Sequence, residues 1–262
     1  MSSNSASESV FVQPGYRCRL EWGRRGARGA AERGDALVIV DVLSFSTAVA
    51  TAIQNGAIVF PCAWEDNPRA LAARVGAEAA VKRQDVPEHG RFSLSPPTFN
   101  AARPGTRIVL AGPNGATCSR YGRGVPHLFI GAFVNAEAVA GALAAVLEAS
   151  PDLAVTILAC GERWQEPGED GELRFALEDY LGAGAILAHL PPHLTRSPEV
   201  RAAEAAFQSL APDLVAVLAG CGSGRELIAK GYPQDVTHAA RLNVYAAVPV
   251  LRAGEVFAAL ES

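Results

Sequence analysis

Three apolar runs in this sequence end in residues able to do chemistry: Asp41-Val-Leu-Ser44-Phe-Ser46-Thr47, Gly112-Pro-Asn114-Gly115-Ala-Thr117 and Cys160-Gly161-Glu162-Arg163. A carboxylate at the end of an apolar strand is costly unless it meets a cation, N–H donors or a proton. Asp41 therefore reads equally as a metal ligand, a catalytic group or a cap for the next turn. The turns at Ser46-Thr47 and Asn114-Gly115 offer backbone N–H groups of the kind that cradle phosphate, with Ser44 adding a hydroxyl. Cys160 beside Glu162 admits a thiol nucleophile, against the commoner reading of a small buried apolar residue. Further on, Glu178 and Asp179 stand at the start of a helical pattern, where the helix dipole favours carboxylates. With Asp41 they are also the oxygen donors that Mg²⁺ would take. Ser223 and Arg225, after Gly220-Cys-Gly222, are further candidate anion contacts, as is Arg163. The acids Glu162, Glu166, Glu169, Asp170 and Glu172 read as a solvated loop, and Arg24, Arg25, Arg28 and Arg33 as a solvated surface run. The five histidines, at 89, 127, 189, 193 and 238, show no ligand or catalytic spacing.

To bring these residues together the chain needs strands that end at one edge of a sheet, where helix N-termini gather. The pattern supplies them. Val10–Trp22 reads as a strand or hairpin, and Gly23–Asp35 as a loop or short helix. Ala36–Val42 is a strand apolar on both faces, followed by a helix to Asn55-Gly56 that Ser44, Ser46 or Thr47 caps. Strands are expected at Ala57–Pro61, Glu78–Lys82, Arg107–Ala111, His127–Gly131, Leu153–Cys160 and Asn243–Leu251. Helices are expected at Asn67–Val75, Asn135–Ala149 and Arg174–Leu190, and through most of the chain from Pro192 to Lys230. This alternation predicts a layered α/β/α protein with a mostly parallel or mixed sheet and a helical C-terminal portion, residues 10–262 forming one domain after a tail of residues 1–9.

With 262 residues, 49% of them hydrophobic and 19% charged, the chain is long enough for a sizeable core and is not composed like a disordered one. The net charge of −4 gives no footprint for a nucleic-acid backbone. Five scattered cysteines, without paired spacing, argue against structural zinc and a disulfide framework and for reduced, cytoplasmic thiols. No run is read as reaching membrane-spanning length, and the polar start of the chain is unlike a secretory leader. A symmetric homodimer is the default oligomer on general prevalence alone.

The ordered blocks DVLSFSTAVATAIQNGA (41–57), Ser95-Pro96, PNGAT (113–117), IGAFVNAEAVA (130–140), LACGE (158–162), FALEDYLGAG (175–184) and RLNVYAAVPVL (241–251) resemble the 2-phosphosulfolactate phosphatase (ComB-like) family, collinearly from about residue 36 to 251. The resemblance implies a Mg²⁺-dependent phosphatase that takes a small anionic phosphate ester, converting 2-phospho-3-sulfolactate to 3-sulfolactate and phosphate on the way to coenzyme M. It adds Asn135 to the candidate substrate contacts. The chain departs from the family pattern at Ser44-Phe45, where Arg-Ala is usual, and at Pro113 and Ala116 around Asn114-Gly115. Ala79-Ala80-Val81-Lys82 stands where a Gly-Gly-Glu-Arg block is usual, so one anion-binding arginine is expected to be missing. Arg163 or Arg225 would be its replacement. A less charged ester than phosphosulfolactate is the substrate that this loss predicts. Two readings stand beside hydrolysis by a metal-assisted site: a non-catalytic small-anion-binding protein on the same scaffold, and a hydrolase dependent on Cys160.

Overall fold

The strand Ala36–Val40 is buried on both faces, and its alternating residues point into two different cores. That one element explains the layering. Val38 and Val40 pack with the helices of one side, Leu37 and Ile39 with those of the other. The structure, a computed structural model, describes residues 10–168 and 171–260. The expected tail, 1–9, and Glu169 and Asp170 of the acidic segment lie outside the described residues.

In chain order the strands are β1 (Cys18–Trp22), β2 (Ala36–Val40), β3 (Ile58–Ala63), β4 (Glu78–Ala79), β5 (Arg107–Gly112), β6 (Leu128–Ile130), β7 (Val155–Ala159), β8 (Glu162–Gly168), β9 (Gly171–Arg174), β10 (Pro249–Arg252) and β11 (Val256–Ala259). The helices are α1 (Gly23–Arg33), α2 (Phe45–Gln54), α3 (Pro68–Val75), α4 (Gly115–Tyr121), α5 (Ala136–Ala149), α6 (Leu177–Ala188), α7 (Pro198–Leu210), α8 (Leu214–Gly220), α9 (Gly222–Ala229) and α10 (Pro233–Ala239). Nine strands form one mixed sheet in the order β1-β7-β2-β6-β10-β11-β3-β5-β4. Two parallel groups, β1-β7-β2-β6 and β3-β5-β4, are joined by the antiparallel β10–β11 hairpin. The joints are narrow, Val250 to Phe129 on one side and Phe257 to Val59 on the other. Helices α5, α6 and α7 cover one face of the first group, while α1, α2 and α4 cover the opposite face. The layered α/β/α expectation with a mixed sheet holds.

Several elements differ from the sequence reading. Gly23–Arg33 is a full helix whose small residues Gly26, Ala27 and Ala30 lie against the sheet. At Gly26 there is no room for more, since a Cβ would stand 2.8 Å from Leu158 and from Glu21. The acidic segment after Cys160 is a two-stranded ribbon, β8–β9, rather than a loop. The last strand begins at Pro249, not Asn243, and a further strand, β11, follows it. Residues 198–220 form a helical stretch long and apolar enough to cross a membrane by length and composition alone. Glu199, Arg201, Glu204 and Asp213 interrupt its apolar residues, and the Ala211-Pro212 step divides it into α7, a single 3₁₀ turn and α8. In the fold, Val200, Ala203 and Phe207 belong to the core beside α6.

Candidate active site at the strand exits

Asp41 leaves β2 with 6% of its surface exposed and joins two helices. Its Oδ1 accepts from the Phe45 N–H of α2 at 3.2 Å, and its Oδ2 accepts from the Gly115 N–H of α4 at 2.7 Å. The cap of α2 therefore comes from Asp41 and not from the hydroxyls expected to provide it. Ser44 makes no capping bond, Ser46 Oγ accepts from the Asp41 N–H and donates to the Ile39 carbonyl, and Thr47 Oγ1 donates to the Val42 carbonyl. Ser46 and Thr47 are fully buried and shape the loop from within, so they do not reach a ligand. The close approach of α4 requires glycine at 115: a Cβ there would run into the Phe45 ring and stand 2.9 Å from Asp41 Oδ2.

In front of Asp41 lies a cleft of about 240 Å³, whose walls include Ser44, Arg83, Asn114, Glu162, Lys230 and Tyr232. Arg83 is its most firmly placed cation. Its Nε donates to Asp235 Oδ2 at 2.8 Å and its Nη2 to Ser44 Oγ at 2.7 Å, with the guanidinium 5.7 Å from the Tyr232 ring centre. Asp235 is itself fully buried and also accepts from the Ser95 hydroxyl, which fixes the carboxylate that holds the arginine. Lys230 pairs with Glu226 on the exposed rim.

The acids of the site sit close enough to disturb one another. Burial, and then the Glu178 charge, push Asp41 up to about 6 against the pull of the Gly115 and Phe45 N–H groups and of Arg83. Burial, with the charges of Asp41 and Glu178, pushes Glu162 up to about 7, although a hydrogen bond from Asn114 opposes the shift. Glu162, expected to be solvated, is thus a wall of the cleft. Asp179 is raised as well, by burial first and then by Asp41 and Glu178. Its two oxygens are already engaged, Oδ1 by the Val42 N–H at 2.8 Å and Oδ2 by the Gly161 N–H at 2.9 Å. It ties the exits of β2 and β7 together. Glu178 is buried behind the cleft, its Oε2 accepting from the Cys221 thiol at 3.4 Å.

Of the remaining expected residues Ser223 lines the cleft of Asp41, and the others scatter. Asn135 is fully buried, accepting from the Ala132 N–H and donating to the Ile130 and Ala247 carbonyls, so its amide serves the backbone rather than a substrate. Arg163 pairs with Glu172 at 3.1 Å in a neighbouring cleft, and Arg225 is exposed outside both clefts. Neither stands at Ser44. Cys160 is buried beside Cys118, and burial raises its thiol well above the ordinary value. That environment favours the inert thiol over a nucleophilic thiolate and so weighs against the Cys160 reading. An arginine does stand at Ser44: Arg83, the residue after Lys82, brings its guanidinium to the Ser44 hydroxyl.

As a metal site the expected trio is not assembled. Among the described residues no three His, Cys, Asp or Glu side chains are arranged to hold an ion. Magnesium asks for less, being held commonly by one or two carboxylates together with substrate phosphate and water. Asp41 is the member of the trio that faces the cleft.

A layered α/β protein with a carboxylate, an anchored guanidinium and a half-buried second acid at its strand exits is built like a hydrolase of small anionic esters. The chain belongs to the 2-phosphosulpholactate phosphatase family, whose profile matches residues 27–254. It is 31% identical over 246 residues to a probable 2-phosphosulfolactate phosphatase of Parasynechococcus marenigrum (strain WH8102), covering 86% of this chain and 93% of that one. It is 28% identical over 226 residues to a protein of the same name from Gloeobacter violaceus, covering 82% and 87%. The corresponding protein of Carboxydothermus hydrogenoformans is 28% identical over 220 residues, covering 82% and 85%.

Proposed function

We propose that this protein hydrolyses the phosphate monoester of a small hydroxy acid, with 2-phosphosulfolactate as the first substrate to test and Mg²⁺ as its cofactor. One observation carries the reading: Asp41, held by the N–H groups of two helices, faces a cleft that also contains the anchored Arg83 guanidinium. Arg83, whose Nε and Nη2 are taken by Asp235, Ser44 and the Leu94 carbonyl, would donate to a phosphoryl oxygen through Nη1, with Lys230 adding positive charge at the rim. Asn114 would position the ester between them. A bound Mg²⁺, taken by Asp41 and by phosphate oxygens, would neutralise charge on the phosphoryl group. Glu162, near half-protonated at neutral pH, would give its proton to the leaving alkoxide as water attacks phosphorus. Of the two protons of that water, one stays on the phosphate product and the other restores Glu162.

The relatives' names and the family support the choice of ester. The Arg83 guanidinium at Ser44 removes the reason to expect a less charged substrate. Phosphate release from 2-phosphosulfolactate, with Mg²⁺ or with EDTA, tests the proposal. Turnover abolished by EDTA and restored by Mg²⁺ is expected. Turnover indifferent to EDTA would remove the metal, and full activity in Asp41→Asn would remove the mechanism. Binding of the ester without turnover would leave the anion-binding alternative instead.

A further inference from the structure

Helix α9 forms one wall of the cleft in front of Asp41. Ser223, Glu226 and Leu227, with Lys230 just past the helix end, recur at helical spacing and all line that cleft. Three of the four are already engaged. Glu226 and Lys230 pair with each other at the rim, and Leu227 belongs to the core. Ser223, which the sequence offers as an anion contact, is the exception. Only 5% of its surface is exposed and that surface opens on the cleft, yet its hydroxyl has no hydrogen-bond partner among the described residues. Polar side chains buried to this degree are nearly always hydrogen-bonded, so a free hydroxyl on the wall of a cleft points to a group that the cleft binds. The hydroxyl is also held in place. Gly224 lets the first turn of α9 sit on the end of α8, since a Cβ there would run into the Leu218 carbonyl. Cys221 caps α9, its Sγ accepting from the Gly224 N–H at 3.4 Å and its thiol lying 3.4 Å from Glu178 Oε2 and 3.1 Å from the Leu218 carbonyl oxygen. The start of a helix carries positive character, which favours an anion as the missing partner.

We propose that Ser223 is a substrate-binding residue whose hydroxyl donates to a non-bridging oxygen of the phosphoryl group from the α9 wall of the cleft. The inference rests on the phosphatase reading and adds to it a donor carried by a different element from Arg83. Charge is spread over three equatorial oxygens as phosphoryl transfer proceeds, so one guanidinium N–H does not satisfy them all. A hydroxyl on a capped, closely packed helix is already in place when that charge develops, which is the condition for a donor to favour the transition state. The contact is to phosphate itself, and it therefore persists with the phosphate product.

The test measures turnover of 2-phosphosulfolactate and, by calorimetry with Mg²⁺ present, the affinity for orthophosphate, in the unmodified protein and in variants at position 223. In Ser223→Ala kcat/KM is expected to fall roughly ten- to a hundredfold, the usual worth of a hydrogen bond to a charged group, and the affinity for orthophosphate to fall with it. The melting temperature should be kept, because the lost hydroxyl has no partner within the protein. Ser223→Thr, which keeps a hydroxyl, recovers part of both losses. Should the alanine variant fold poorly, Ser223→Cys, close in shape but a poor donor, is expected to show the same two losses. Turnover and orthophosphate affinity both unchanged, or a loss in only one of them, would overturn the assignment. The orthophosphate titration also separates it from the hydrolytic reading. If the unmodified protein turns over no ester, weaker orthophosphate binding in Ser223→Ala still supports the contact, whereas equal binding, or no binding by the unmodified protein, overturns it.

Discussion

At the scale of single residues, the chemistry depends on groups that sequence order keeps far apart. Asp41, Arg83, Asn114, Glu162 and Asp235 come from five segments, and each is held by contacts to another. Arg83→Ala should lower kcat/KM for 2-phosphosulfolactate by roughly ten- to a hundredfold, because one charge-assisted grip on a phosphoryl oxygen is lost. Arg83→Lys should recover only part of it, since an ammonium lacks the fork that bridges Asp235 and Ser44 while still reaching substrate. Ser44→Arg, which the sequence comparison alone would favour, now places two guanidinium groups at one spot and should reduce activity rather than raise it. Steady-state kinetics on the three variants decides among these outcomes. Asp41 pushed to about 6 must be ionised and Glu162 pushed to about 7 must keep its proton, so kcat/KM should follow a narrow bell between those values. In Glu162→Gln the alkaline limb should vanish along with most of the rate. A profile that keeps both limbs in that variant would take the proton donor's role from Glu162.

At the scale of elements, the site exists because α4 starts against Asp41. Gly115→Ala should therefore do more than fill space. The new methyl meets the Phe45 ring and Asp41 Oδ2, so overpacking by about 1–3 kcal/mol should accompany a loss of phosphate release. Thermal unfolding and turnover, measured together, should fall together; an active and fully stable variant would show that α4 can withdraw without cost. The β10–β11 hairpin poses the corresponding question for the sheet, because it joins two parallel groups through one bridging pair on each side. Phe257, fully buried there beside Val59, makes Phe257→Ala costly by about 3–5 kcal/mol, seen as a lower denaturation midpoint. A shift of under 1 kcal/mol in urea unfolding would mean that the two groups hold together without the hairpin.

Across the whole molecule, buried titratable groups pull stability in opposite directions with pH. Glu162 has its folded value raised from 4.5 to about 7, so the folded state binds the extra proton between those values and stability is lost as pH rises through about 7. Glu162→Gln should then melt higher than the unmodified protein at pH 8 by up to about 1–2 kcal/mol after discounting for partial exposure, with the gap closing by pH 5. His238 behaves the other way. Its Nε2 lies 3.1 Å from the Thr51 hydroxyl, 3.1 Å from the Tyr245 hydroxyl and 3.0 Å from Arg241, and burial followed by the Arg241 charge lowers it from 6.5 to about 4. The unfolded chain takes up that proton first, so stability is lost as pH falls from 6.5 towards 4, and His238→Gln should flatten this acid limb in melting curves. The alternation of apolar runs and helical patterns was legible from the sequence alone, and with it the layers, the strand exits and Asp41 as a carboxylate that had to find donors. Periodicity and burial are local properties of a chain, which is why strand β2 and helix α2 could be read. Arg83 and Glu162 could not, because an arginine in a 3₁₀ turn and an acid in an acidic stretch are ordinary surface residues until something packs on them. Only the tertiary structure brought Asp235 to the guanidinium and the Asp41 and Glu178 charges to Glu162. It likewise occupied Ser46, Thr47, Asn135 and Asp179 with backbone groups, since hydrogen-bond partners and local dielectric are set by neighbours in space and not by neighbours in sequence.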